Sequence, residues 1–155
     1  MPSTYLTLSG FEKLKGELEY LRGVKREEIS ALLRESNGGN EIDGDVDPEF
    51  VMAKHQQAFI EGRIQELETL LSNPGIIEDF IHGDIVDIGS KVKISEKGGE
   101  PAIYTIVGPV EASPARGLIS FASPLGSSLI GHSAGDEVIV KSPGGIYQVS
   151  IVEVF

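Results

Sequence analysis

The chain has 155 residues, with 24 acidic against 13 basic side chains and a net charge of −11. This charge disfavours binding to the phosphates of naked nucleic acid and favours a basic protein partner or a bound cation. The sequence contains no cysteine, which excludes disulfides, thiol catalysis and cysteine-ligated metal sites. It has no apolar run long enough to span a membrane and no recognisable secretory signal, so we expect a cytoplasmic protein without membrane contact.

The first half of the chain begins with one predicted helix. Its apolar residues recur every three or four positions, which is typical of an amphipathic helix. They are Phe11, Leu14, Leu18, Leu21, Val24, Ile29, Leu32 and Leu33. Ser9 and Glu12 have the S-x-x-E spacing of a capping box, so the helix should begin near 7–9. The Asn-Gly-Gly-Asn sequence of 37–40 should end it, because these residues favour turns.

A second helix is predicted from Asp47, which can cap the free backbone amides, with Pro48 in the tolerated first position. The Ser-Asn-Pro-Gly sequence of 72–75 should end this helix. The two helices should pair as an antiparallel coiled coil, a hairpin in which both apolar stripes are buried. In that pairing, Phe11, Leu14, Leu18 and Leu21 face Ile60, Ile64, Leu67 and Leu71. Helices of roughly 28 residues would form an arm about 40 Å long.

The second half is predicted to form a small, mostly antiparallel β-sheet with one short helix. Runs rich in β-branched residues, separated by Gly, Pro and Ser, indicate five strands. They are Lys91–Glu96, Ala102–Val107, Leu118–Ala122, Glu137–Lys141 and Ile146–Val154. The short helix should lie within 123–131. The predicted fold class is α+β, with a coiled-coil domain over 1–75 and a β-rich domain over 76–155.

The turn between the two helices contains the candidate chemistry. Residues 41–49 contain five carboxylates, Glu41, Asp43, Asp45, Asp47 and Glu49, and no basic residue. Their spacing lacks the glycine and the final glutamate of an EF-hand calcium loop. A solvated acidic turn with a helix cap explains them without any function. Alternatively, oxygen ligands at the end of an arm suit Mg²⁺, which binds one or two carboxylates and shares its other positions with phosphate and water.

The other polar residues give weaker signals. His55, His82 and His132 are too scattered for a zinc site, and the last two have no visible partner in the sequence. Arg22, Lys25 and Arg26 form a basic cluster on the first helix, for which a solvated face is the simplest interpretation.

Several segments, in their order and spacing, resemble the Gre transcript-cleavage factors (GreA and GreB) of bacterial RNA polymerase. The matching segments are 7–14, 53–64, 71–73, 123–126, 129–131, 135–136 and 143–145. The resemblance implies that the C-terminal domain has an FKBP-like fold without isomerase activity and docks on the polymerase rim. It places this docking surface at Ser123, Pro124 and Leu125.

The resemblance also implies a mechanism and a set of partners. The coiled coil enters the secondary channel of the polymerase, where tip acids help to hold a Mg²⁺ ion and the attacking water. The polymerase then hydrolyses the backtracked RNA 3′ segment. The factor is thus a monomer that stimulates the nuclease activity of RNA polymerase and meets the nascent RNA 3′ end only indirectly. It is not itself an enzyme and has no cofactor of its own, since Mg²⁺ is shared with the polymerase active site.

The tip departs from the family pattern, in which an Asp is followed three residues later by a Glu. In the family, a Glu-Tyr pair follows these two acids, just before the second helix. If Glu49 and Phe50 of this chain are aligned with that pair, Asp43 falls on the family's catalytic Asp and Val46 on its catalytic Glu. The turn is also longer than in the family. The candidate catalytic residues are therefore Asp43 and Asp45, and the candidate metal ligands are these two with Glu41. A non-cleaving channel regulator or inhibitor remains an alternative, as does an adaptor for an unrelated partner.

Overall fold

A computed structural model describes residue 2 and residues 4–36, 47–77 and 83–155. The chain divides into two compact units. One is Phe11–Asn73, which we call the hairpin unit, and the other combines Met1–Gly10 with Pro74–Phe155, which we call the sheet unit. The α+β fold class is confirmed.

The predicted coiled-coil domain included residues 1–10, whereas in the structure Met1–Gly10 group with Pro74–Phe155. Strand β1 (Thr4–Thr7) pairs in parallel with strand β2 (Pro74–Ile77). This pairing, which was not predicted, explains why the first ten residues group with the C-terminal part of the chain.

The helices of the hairpin unit follow the predicted order. Helix α1 (Leu8–Tyr20) continues through a π-helical segment (Leu21–Lys25) into helix α2 (Arg26–Glu35). Helix α3 (Pro48–Leu71) forms the second arm of the hairpin.

A small apolar core joins the two arms. Leu18, Ile64 and Leu67 are buried. The partly buried residues packed against them are Leu14, Leu21, Ile60 and Leu71. The predicted pairing is confirmed for these seven residues. Phe11 is half-buried and lies outside this cluster.

The π-helical segment changes which residues face this core. The backbone N–H of Arg26 donates to the carbonyl of Leu21, five residues back, so one extra residue is inserted into the turn. Ile29 is consequently buried, whereas Val24 is 45% exposed and Leu32 is 47% exposed. The predicted apolar stripe was therefore wrong at Val24 and Leu32, because it assumed an uninterrupted α-helical period.

The start of α1 was correctly predicted, but its cap was not. Thr7, not Ser9, is the capping residue, since its Oγ1 accepts a hydrogen bond from the backbone N–H of Gly10 at 3.0 Å. Ser9 lies inside the helix, so the predicted Ser9–Glu12 capping box was wrong. The Glu111 carboxylate accepts two further hydrogen bonds, from the Thr7 backbone N–H and from Thr7 Oγ1, both at 2.6 Å.

The sheet unit contains a five-stranded sheet in the order β5-β4-β3-β7-β6. Its strands are β3 (Lys91–Glu96), β4 (Ala102–Val107), β5 (Leu118–Ser120), β6 (Glu137–Ser142) and β7 (Gly145–Val154). All neighbours are antiparallel except β4 and β5. Helix α4 (Pro124–Leu129) follows β5, and short 3₁₀ turns occupy Pro109–Glu111 and Pro114–Arg116. The five predicted strands and the short helix are confirmed.

One face of this sheet carries the main apolar core. Alternate residues of the strands point to that face, as the twofold period of a strand requires. The buried residues include Val92, Ile94, Ile106, Val140, Val149 and Ile151. Helix α4 adds Leu129, which is fully buried, and thereby covers part of the sheet. Of the helices in the described ranges, none has the length and apolarity needed to cross a membrane.

Candidate functional site

The predicted tip acids cannot be placed, because Asp43, Asp45 and Glu41 lie outside the described residues. The helix that follows them is well defined. Asp47 caps α3, since its Oδ1 accepts a hydrogen bond from the backbone N–H of Glu49 at 2.9 Å. The predicted roles of Asp47 as cap and Pro48 as first helical residue are confirmed.

The helix that precedes the tip also has a defined end. The backbone of Ser36 turns to an extended conformation, while its N–H donates to the carbonyl of Leu32 at 2.9 Å. Its hydroxyl donates to the carbonyl of Leu33 at 3.1 Å. Residues 37–46 are thus bounded by two capped helices.

The described part of the chain contains no group of three or more His, Asp or Glu side chains arranged to hold a metal ion. A metal site built only from side chains of 4–36, 47–77 and 83–155 is therefore not supported. The predicted Mg²⁺ ligands all belong to 37–46, so the structure does not test them.

The basic cluster on the first helix consists of ion-paired residues. Arg22 pairs with Glu68 across the hairpin. Arg26 makes two hydrogen bonds to Glu61, also across the hairpin, at 2.8 and 2.9 Å. Lys25 pairs with Glu28, three residues along the same helix, at 3.0 Å. Since each cation has an acidic partner, the interpretation as a solvated structural face is supported and a free basic surface is not.

Among the ion pairs of the described hairpin residues, the least exposed joins Glu17 of α1 and Arg63 of α3. Arg63 Nε lies 2.7 Å from Glu17 Oε1, and Arg63 Nη2 lies 3.1 Å from Glu17 Oε2. Arg63 also contacts Glu66 at 2.9 Å. The hydrogen bonds from Arg63 lower the pKa of Glu17, and those to Glu17 and Glu66 raise the pKa of Arg63. Such two-point pairing fixes the relative position of the two arms more strictly than one contact does.

The predicted docking residues lie together where β5 leads into α4. Ser123 caps α4, since its Oγ accepts from the N–H of Gly126 at 3.0 Å and donates to the carbonyl of Ser120 at 2.6 Å. Pro124 is the first helical residue and is exposed, as the docking hypothesis requires. Leu125 is half-buried and packs against the sheet core. The structure therefore brings the three residues together, but it does not test their binding to a partner.

Leu125 also forms one wall of a groove of about 260 Å³, which we call the tyrosine groove. Buried Ile94 and Val149 lie at its floor, and half-buried Tyr104 and Tyr147 form further walls.

Two exposed carboxylates, Glu96 and Glu100, line the rim of the groove at the end of the β3–β4 hairpin. Sequence reasoning missed the groove because its residues come from three strands and a helix. The sequence did indicate part of it, since Ala102 and Tyr104 are two residues apart in a predicted strand and therefore share one of its faces.

His132 has a partner that the sequence did not reveal. Its Nδ1 lies 3.4 Å from Asp136 Oδ2, four residues along the chain, a partner that the sequence pattern had not indicated. Asp136 also accepts a hydrogen bond from the backbone N–H of Ser133 at 2.9 Å. The hydrogen bond from Ser133 and, to a smaller extent, the contact with His132 lower the pKa of Asp136. This arrangement stabilises a turn next to Gly135, in which the Ser133 hydroxyl also contacts Asp136 at 3.5 Å.

Comparison with known proteins identifies the family. The N-terminal domain of transcription elongation factors matches residues 4–76, and the GreA/GreB C-terminal domain matches residues 81–155. The chain is 44% identical over 151 residues to transcription elongation factor GreA of Geobacillus kaustophilus, covering 96% of this chain and 94% of that protein. It is 42% identical to GreA of Bacillus licheniformis over the same shares. The crystal structure of GreA factor homolog 1 of Thermus thermophilus is 32% identical, covers 97% of both chains and gives a TM-score of 0.42. The chain therefore belongs to the GreA/GreB family of transcription elongation factors.

Proposed function

We propose that this chain acts on bacterial RNA polymerase as a transcript-cleavage factor. The sheet unit docks on the polymerase rim, and the hairpin unit enters the secondary channel. There it stimulates the polymerase to hydrolyse the 3′ end of backtracked RNA. The observation that carries this proposal is that the two domain matches together span 4–76 and 81–155, with 44% identity to a GreA protein over nearly the whole chain.

The tip acids supply the chemistry in this proposal. Asp43, helped by Asp45 or Glu41, contributes carboxylate oxygens to a Mg²⁺ ion that belongs to the polymerase active site. Hard oxygen ligands suit this ion, which activates water and stabilises the charge that develops during phosphodiester hydrolysis. Asp47 is engaged as the cap of α3 and Glu49 lies in the first turn of that helix, which leaves the three earlier acids as the proposed ligands.

A cleavage assay on a stalled, backtracked elongation complex with 3′-labelled RNA tests the proposal. The wild-type protein should release a short 3′ fragment when Mg²⁺ is present, and the protein alone should cleave no RNA. Asp43→Asn should slow the release by about a hundredfold, the scale of losing one electrostatic group at a reacting centre. Glu19→Gln, which removes the same charge from an exposed site on α1, should cleave at the wild-type rate.

The alternative is a factor that occupies the channel without promoting cleavage. Val46, which falls where the family has its catalytic Glu, favours this alternative. It predicts that the wild-type protein slows elongation at saturating Mg²⁺ but releases no 3′ fragment. That result would replace the cleavage proposal with the inhibitory one.

A further inference from the structure

The two edges of the five-stranded sheet differ in how well they are protected. The β5 edge is three residues long, and its Leu118 exchanges two backbone hydrogen bonds with Ser113, at 2.8 and 3.1 Å. The β6 edge is six residues long, and among the described elements its backbone pairs with β7 alone. A strand paired on one side only presents N–H and C=O groups that can hydrogen-bond to a further strand.

The side chains of β6 make the outer face of this edge apolar at its centre. Val138 and Val140 are buried in the sheet core, whereas Ile139, on the opposite face, is 61% exposed. Beside β6, strand β7 presents Ile146, which is 72% exposed. A second strand placed along β6 would remove part of this apolar surface from water, which is favourable.

Two opposite charges lie symmetrically about Ile139. Glu137 and Lys141 are two residues before and two residues after it, so all three side chains share one face of the strand. Gln148 Nε2 donates to Glu137 Oε2 at 2.8 Å, and the other oxygen of this carboxylate can accept a cation. Lys141 has no ion pair or side-chain hydrogen bond with any residue of 4–36, 47–77 and 83–155.

This symmetry makes β6 complementary to itself in one antiparallel register. If Ile139 lies opposite Ile139 of a second copy, each Glu137 lies opposite a Lys141, and the two isoleucines meet between the charge pairs. A slip by two residues would remove both charge pairs, and a slip by four would bring like charges together. A slip by one would place the buried face of one strand beside the exposed face of the other. An edge lysine usually opposes pairing, but here each lysine would meet an acid.

We propose that β6 is a self-association site through which two copies of this chain pair. The strands run antiparallel over Glu137–Lys141 about a twofold axis at Ile139, and the two five-stranded sheets join into one of ten strands. This inference is independent of the proposed function, since it concerns the free protein. Because the interface is small, the dimer should be weak and reversible, so the monomer implied by the family resemblance should prevail in dilute solution.

Sedimentation velocity of the full chain, in low salt and over a range of concentrations, tests the inference. The wild-type protein should be monomeric below about 10 μM and substantially dimeric at roughly 1 mM, as expected of a small, transient interface. Raising the salt concentration should weaken the dimer, since the two exposed charge pairs would be screened.

Charge exchange tests the register itself. Glu137→Lys and Lys141→Glu each turn both attractive pairs into repulsive ones, so each should weaken self-association at least about tenfold. An equimolar mixture of these two variants should form a heterodimer, because attraction returns at both pairs. The double variant Glu137→Lys, Lys141→Glu should self-associate within about threefold of the wild type for the same reason.

The matched control is Glu12→Lys, which makes the same charge change at an exposed position of α1. It should dimerise as the wild type does, and circular dichroism spectra that superimpose on the wild-type spectrum would show that each variant is folded. A wild-type protein that is monomeric at 1 mM would refute the inference. A dimer that both single variants form as readily as the wild type would also refute it, because the interface would lie elsewhere. So would a loss that neither the mixture nor the double variant restores, because the pairing of Glu137 with Lys141 would then be wrong.

Discussion

Truncation of Leu67 to alanine tests whether the hairpin unit depends on its small apolar core. Leu67 is fully buried, and only Leu18 and Ile64 of the surrounding cluster are also buried. A core this small can do little to refill the space left by the side chain. We therefore expect a loss of about 3 kcal/mol in the free energy of unfolding, within the range seen for Leu→Ala in protein cores.

The matched control is Phe59→Ala, on the same helix. Phe59 is 78% exposed, so its truncation should change the unfolding free energy by less than about 0.5 kcal/mol, although it removes more atoms. For a unit of about 60 residues, 1 kcal/mol corresponds to roughly 4–8 °C in Tm, so Leu67→Ala should lower the Tm of the hairpin by about 12–24 °C.

Thermal unfolding followed by circular dichroism at 222 nm is the appropriate assay. The long helices α1, α2 and α3 belong to the hairpin unit, whereas α4 of the sheet unit is only six residues long. The signal at 222 nm therefore reports chiefly on the hairpin unit. Equal Tm values for the two variants, or a larger loss for Phe59→Ala, would mean that the two arms do not pack through Leu67.

Two further predictions concern charge and glycine. Hydrogen bonding to Arg63 lowers the pKa of Glu17 below its usual 4.5, so the stabilisation from this pair is present above that pH and is lost as the pH falls through the lower value. The Tm difference between wild type and Glu17→Gln should therefore be largest near neutral pH and shrink as the pH falls below 4.5 and the Glu17 carboxylate is protonated, and a difference that grows on acidification would contradict this account. Gly126→Ala would place its Cβ 2.0 Å from the carbonyl oxygen of Ser120, so it should destabilise the sheet unit by about 1–3 kcal/mol in urea unfolding. Gly62→Ala, which meets open space within a helix, should instead stabilise the hairpin unit by about 0.5–1 kcal/mol, and the same sign for both changes would contradict the steric argument.

Local signals predicted those parts of the fold that depend on neighbouring residues. The strand Lys91–Glu96 was predicted to the residue because its β-branched run is bounded by turn residues on both sides. Helix α3 was predicted from Asp47 and Pro48, whose cap geometry is a local property.

The missed features depend on residues far apart in the chain. The pairing of Thr4–Thr7 with Pro74–Ile77 joins two four-residue strands, and the Pro-Gly in the second indicated a helix stop. The hydrogen bonds between Thr7 and Glu111 span 104 residues. No periodic pattern encodes such contacts, because the tertiary fold alone brings the partners together.

The candidate site was predicted unevenly for the same reason. Ser123, Pro124 and Leu125 were identified through the resemblance, and the capping role of Ser123 could be read from its position before a proline. The tyrosine groove was not predicted, since it requires the register of β3, β4 and β7. The tip acids stay a prediction, because they lie outside the described residues.

The ion pairs of the hairpin have a role that their energies alone do not suggest. Each exposed pair contributes only about 0–1 kcal/mol, less than one buried leucine. Their value lies in register, because Arg63 contacts both oxygens of Glu17 and Arg26 contacts both oxygens of Glu61. If α3 slipped by one helical turn along the first arm, apolar residues could still pack against apolar residues, but both two-point contacts would break. The start of α3 would then move along the arm by about 5.4 Å. A catalytic group loses most of its effect when it is misplaced by about 1 Å. If the acids before Asp47 act on a bound Mg²⁺, the cross-hairpin arginines are therefore positioning residues, since they set how far along the arm those acids are held.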